Sequence, residues 1–128
     1  MEKLIQANCI EDILPKVTFE NQLKKIKNAK MKKMVVDLRN AILKISDKIE
    51  ERITKSHILF RTSVNFAGIY TQPRGFWLSV RIPRTQFDML ELDVRPHKNP
   101  RWTDIRVDDK TSLVLLVEAA KIAYKKTL

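Results

Sequence analysis

The chain has 128 residues, a net charge of +10 and 44% apolar residues. That is enough for one domain with a real hydrophobic core and too little for two ordinary ones, and the apolar content argues against disorder. The longest apolar run, Leu113–Val117, falls far short of the ~20 residues that span a bilayer, so the sequence predicts no membrane partner.

Residues 1–16 form a loose apolar pattern (Leu4, Ile5, Ile10, Ile13, Leu14) ended at Pro15. They read as an N-terminal extension or docking segment, with 17–128 as a single α+β domain. Nothing in the first residues resembles a signal peptide. Cys9 is the single cysteine, which excludes an intramolecular disulfide framework and fits a reducing cytoplasm. Its expected place is an apolar one on that segment.

Thr18 followed by Glu20 and Asn21 predicts a helix N-terminus. The helix should run from about Phe19 towards Ala29, with Phe19, Leu23 and Ile26 inward. Val35, Leu38, Ala41, Ile42 and Ile45 recur at three- and four-residue steps, predicting a second helix from near Lys30 to Ser46-Asp47. Ile49 and Ile53 continue the stripe, so the pattern leaves open whether Lys48–Ile53 extends it.

From His57 to Val107 the period changes to two. His57–Arg61 and Asn65–Thr71 predict two strands, and Pro73-Arg74-Gly75 is a turn. Phe76–Ile82 follows, with Phe76, Leu78, Val80 and Ile82 on one face and Trp77, Ser79 and Arg81 on the other, the alternation of a half-buried strand. Pro83–Met89 reads as a loop or short helical turn. Leu90, Leu92 and Val94 mark a fourth strand, and Thr103, Ile105 and Val107 a fifth. Asp108–Ser112 starts a closing helix whose stripe is Leu113, Leu116, Val117, Ala120 and Tyr124, with lysines in its last turns. The fold class expected is α+β: N-terminal helices, an antiparallel meander of four to five strands, and a C-terminal helix on one sheet face.

Several segments resemble a known family. They are Val17-Thr18-Phe19-Glu20-Asn21-Gln22-Leu23, then Leu38-Arg39-Asn40-Ala41-Ile42, then Glu50–Phe60 and Asn65-Phe66-Ala67, with an aromatic at Trp102 and the ending Ala123-Tyr124-Lys125. The chain is similar, over about Val17–Leu128, to an uncharacterised bacterial and archaeal domain of unknown function. That domain is found at the C-terminus of so-called predicted transport proteins and beside nuclease-like domains. The resemblance implies the same α+β fold and no defined activity. Where family members commonly have glycine and histidine before the late aromatic, this chain has Asn99-Pro100-Arg101. The nuclease-like neighbour's carboxylates have no counterpart in these residues and are not carried over.

The chemistry-bearing residues are few. His57 and His97 are the only histidines, and neither forms a nucleophile motif with a serine or the cysteine. One cysteine and two distant histidines supply no metal site. Glu91, Asp93, Asp104, Asp108 and Asp109 could in principle hold Mg²⁺. Pairing with Arg95, Arg106 and Arg81 across strands explains that mixture without a metal. Gly68 and Gly75 are isolated, so no phosphate-cradling loop is present. The reading is therefore non-enzymatic, with no cofactor and no metal.

Charge gives the stronger signal. Six lysines (Lys24, Lys25, Lys27, Lys30, Lys32 and Lys33) fall within ten residues that contain no acid, a density that favours polyanions. On one continuous helix they would surround the axis; a break near Asn28-Ala29 would gather them at a corner. Trp77 and Trp102 fall on the face away from the core, with Arg81, Arg95, Arg101 and Arg106, and His97 and Lys98 lie in the basic loop between strands. That set could stack bases and hold phosphates, or the same face could meet a partner protein or a second copy. The expectation is an accessory module binding DNA or RNA through its basic surface, the alternative a protein-interaction or homodimerisation domain.

Overall fold

The computed structural model describes residues 17–128; the docking-segment and Cys9 readings lie outside the described residues. Two helices come first: α1 (Phe19–Lys24) and α2 (Ala29–Leu43). Six strands follow: β1 (Glu50–Ile53), β2 (Ile58–Arg61), β3 (Asn65–Gln72), β4 (Gly75–Val80), β5 (Asp93–Pro96) and β6 (Thr103–Val107). Helix α3 (Leu113–Lys125) closes the fold. The class is the α+β expected, with six strands where four to five were predicted.

Local rules set most boundaries. Thr18 caps α1 in a reciprocal box with Asn21, satisfying two of the amides that a helix start leaves unpaired. Asn28 caps α2 by accepting the Met31 amide at 3.2 Å, and Ser112 caps α3 by accepting that of Leu115 at 3.3 Å. The first helix ends at Lys24, well before Ala29, because the chain must turn at Lys25–Asn28 to start α2. The second ends at Leu43, and Glu50–Ile53, left open by the sequence pattern, is an edge strand.

The sheet is antiparallel throughout, in the order β1-β2-β3-β4-β6-β5. It begins as a meander. After β4 the chain skips a position, lays β5 on the outside and returns with β6 between them. The Leu90–Val94 strand is corrected to Asp93–Pro96: Leu90 is 88% exposed and Leu92 is buried outside the ladder. A 3₁₀ turn at Arg84–Gln86 lies within Pro83–Met89, the stretch that reads as a loop or short helical turn.

Helices α2 and α3 lie side by side over one face of the sheet. Val35, Leu38 and Ile42 from α2 and Leu116, Ala119, Ala120 and Ala123 from α3 meet Phe76, Leu78 and Val80 of β4 and Ile105 and Val107 of β6. Each fully buried large side chain here contributes roughly 1.5–3 kcal/mol by leaving water. The alanines of α3 let its backbone approach the sheet. Gly75 serves the same purpose for α2, since a Cβ there would stand 3.0 Å from Met31 Cε and 3.3 Å from the Val107 carbonyl.

Candidate nucleic-acid interface

The lysine cluster is built by the turn between α1 and α2. Ile26 is buried and pins the corner, while the Lys27 amide donates to the Pro73 carbonyl at 2.8 Å. That bond sets the corner on the β3–β4 turn and so beside Arg74. Gln22, fully buried, fixes α1 to the sheet from both ends of its amide. It donates to the Thr54 carbonyl and accepts from the Thr71 hydroxyl at 2.7 Å. Lys25 is half-buried and donates to the Lys55 carbonyl; Lys33 pairs with Asp37 at 2.9 Å. Lys24, Lys27, Lys30 and Lys32 are exposed and have no carboxylate partner among the described residues.

The sheet face opposite the helices carries the aromatic residues. The two-residue turn Pro73-Arg74 pairs Gln72 with Gly75, which places Tyr70 opposite Trp77. Trp77 in turn faces Arg106, and Arg106 faces Asp93. His57, one residue before Ile58, lies at the other end of this row, its ring centroid 4.9 Å from that of Tyr70. The parallel row runs Leu59, Gly68, Ser79, Asp104, Arg95.

Between these rows and the β5–β6 loop lies a groove. One part, of about 580 Å³, is lined by Tyr70, Gln72, Trp77, Ser79, Pro96, His97, Lys98 and Asp104. A second part, of about 220 Å³, continues to His57, Leu59, Gly68 and Trp102 and shares Tyr70 and His97 with the first. Gly68 keeps its floor low, because a Cβ there would come 3.3 Å from Leu59 and 3.7 Å from the Tyr70 ring. Trp77 is held by its indole N–H, which donates to Gln72 Oε1 at 3.3 Å. Trp102 lies alongside His97, with ring centroids 6.0 Å apart.

The electrostatics differ along the face. Arg95 binds Asp93 at 3.0 Å, which holds that carboxyl below the usual range and raises the arginine. Asp93 also attracts Arg106, so the arginines at the β5 edge are partly compensated. Burial, then the nearby Asp104 carboxylate, pushes the Tyr70 phenol up. Burial, then the positive charge of Lys25, holds His57 below the ordinary imidazole value.

The depressed His57 value has a consequence for stability. The unfolded chain takes up a proton at this ring at a higher pH than the folded one does. The stability this contributes is present above the ordinary imidazole range and is lost as pH falls through the folded value. In urea titrations at a series of pH values, His57→Gln should show a shallower acid-side loss of stability than the parent chain.

The sequence-predicted residues separate into three groups. The six lysines form the corner; Trp77, Trp102, Arg95, Arg106, His97 and Lys98 share the open face and its loop. Arg81 is corrected: it turns away from the open face. It lines a cleft of about 300 Å³ with Arg101, Ala123, Lys126 and Thr127, at the end of β4 remote from the lysines. The carboxylates are also arranged differently. Glu91 precedes β5 and is exposed, and Arg95 bonds along its own strand to Asp93 although Asp104 is its cross-strand neighbour.

Sequence reasoning missed Tyr70, Gln72, Ser79 and Asp104 as lining residues. The tight Pro73-Arg74 turn was the available signal, since it alone dictates the Tyr70–Trp77 pairing. Among the described residues no three His, Cys, Asp or Glu side chains converge as metal ligands. None of their helices is long and apolar enough to cross a membrane. Comparison with protein-family models, curated proteins and solved structures finds no match.

Proposed function

We propose that this protein is a non-enzymatic accessory module of the cytoplasm that binds single-stranded nucleic acid. One observation carries the reading. The Lys27–Pro73 bond sets the lysine corner on the β3–β4 turn, next to the strand ends that carry Tyr70 and Trp77. The strand's backbone would lie against the lysines while its bases reach the aromatic groove. Backbone-directed charge and stacking are the two terms that single-strand binders combine.

The test is anisotropy of labelled single-stranded RNA and DNA across a salt series, with the duplex as comparison and the solution mass measured in parallel. Single strands should bind more tightly than duplex. Trp77→Ala should weaken every sequence by about tenfold, the loss expected for one stacked base. Absence of binding by micromolar protein at about 50 mM salt, where phosphate contacts are strongest, would overturn the reading. A stable dimer that shields Trp77 and Trp102 would overturn it too, and would assign the face to a second copy.

A further inference from the structure

We infer that the groove between Trp77 and Asp104 is a nucleobase pocket that selects guanine. The inference rests on the single-strand reading above and adds a sequence preference to it.

The groove of about 580 Å³ has the size of ordinary ligand pockets, and Trp77 forms its aromatic wall. The Trp77 indole N–H donates to Gln72 Oε1 at 3.3 Å. Asp104 stands across from that wall. Its Oδ1 accepts from the Ser79 hydroxyl, and its Oδ2 has no hydrogen-bond partner among the described residues. Its side chain is 23% exposed. In a chain with a net charge of +10, a carboxylate in a groove would be expected to attract a lysine or arginine. Here the cross-strand neighbour Arg95 turns to Asp93, and the nearest cationic candidate is His97, at 4.0 Å. An acceptor with unused capacity therefore faces a space walled by an aromatic ring.

The donors nearby complete the pattern. The Asn99 amide donates to His97 Nδ1 at 2.9 Å, which leaves the proton of the neutral ring on Nε2, the atom turned towards Asp104. Lys98 adds an ammonium at the rim.

An ionised carboxylate only accepts hydrogen bonds, so it prefers an edge with adjacent donors. Guanine alone offers two side by side, N1–H and N2–H₂, with O6 next to them for the His97 or Lys98 donor. Adenine and cytosine set a ring acceptor beside their amino group, and uracil flanks its N–H with two carbonyls. Each of these would present lone pairs to Asp104. Phosphates are repelled by the same carboxylate, which directs the backbone out of the groove towards the lysines.

The test uses short oligouridylates in which one central residue is uridine, adenosine, cytidine, guanosine or inosine, titrated into the full chain at low salt. The guanosine oligomer should bind about tenfold or more tightly than the adenosine and cytidine ones, the discrimination expected of one bidentate pair. Inosine, which lacks the N2 amino group, should fall between. Asp104→Asn keeps an acceptor for Ser79 but places an amide donor in the pocket; it should abolish the preference for guanosine. Equal binding of all five oligomers, with a normal salt slope, would sink the guanine pocket and leave the single-strand reading standing. No binding by any of them would remove both. The base series on the unaltered chain decides the matter even if the variant fails to fold.

Discussion

Replacing Lys24, Lys27, Lys30 and Lys32 together by glutamine should lower single-strand affinity several hundredfold at about 0.1 M salt and flatten its salt dependence. Each phosphate neutralised on a single strand contributes roughly 0.7 to the slope of log K against log salt, so four contacts amount to roughly 3. These four are chosen because they are exposed and carry no ion pair among the described residues. Lys25 is held by the Lys55 carbonyl, and Lys33 by Asp37. Glutamine is nearly as good a helix former as lysine, so the melting curve should barely move. Lys33→Gln alone should change the slope by less than one of the four. An unaltered slope in the quadruple variant would transfer the phosphate contacts to Arg95 and Arg106 or to the Arg81–Arg101–Lys126 cleft.

A large single-residue effect on stability is expected at Arg39 or Glu51. Arg39 of α2 binds both carboxylate oxygens of Glu51 in β1, and its guanidinium lies 4.1 Å from the centre of the Phe19 ring in α1. The side chains are 27% and 15% exposed, so solvent screens the pair only in part. The hydrogen bond to Glu51 outweighs the burial of the guanidinium and raises the arginine above its usual value. Arg39→Ala or Glu51→Gln leaves one member half-buried without its counterpart, which should cost about 2–3 kcal/mol. Chemical unfolding would read this as a lower midpoint at an unchanged slope. The double variant Arg39→Met, Glu51→Leu should recover much of the loss, since two apolar side chains leave no orphaned charge. If both single variants unfold like the parent, the fork is a surface contact without structural weight.

How far the sequence could be read follows from which interactions are local. The alternation through Phe76–Val80 and the helix starts at Thr18 and Ser112 depend on neighbours a few residues away, and the strand and these starts lie where the pattern puts them. Strand β1 escaped because its inward residue opposite Phe60 is a glutamate. A charge on the core side makes sense only once Arg39, twelve residues back, is seen to meet it. The place of β6 inside β5 has a physical reason too. Thr103, Ile105 and Val107 are all buried, whereas β5 has only half-buried Val94 to offer the core. The more apolar strand takes the inner position although it comes later in the chain.

The candidate site divides the same way. Lysine density and the outward tryptophans are visible in the residues themselves. The junction that unites them rests on the Lys27–Pro73 bond and the Gln22 bridge to Thr54 and Thr71. Asp104 reads in sequence as one more acid beside an arginine. Only the choice of Arg95 for Asp93 leaves it available.

The inverted order of the last two strands also decides which strands form the rims of the sheet. One rim is β1, four residues of which three are charged; the other is β5, which contains Asp93, Arg95 and Pro96. Short, charged strands and a proline without an amide hydrogen make poor templates for pairing with a neighbouring molecule. The molecule is therefore guarded against ribbon-like self-association at high concentration, even with a hydrophobic sheet at its centre. Two copies that approach through the open sheet face instead must compete with whatever occupies the groove.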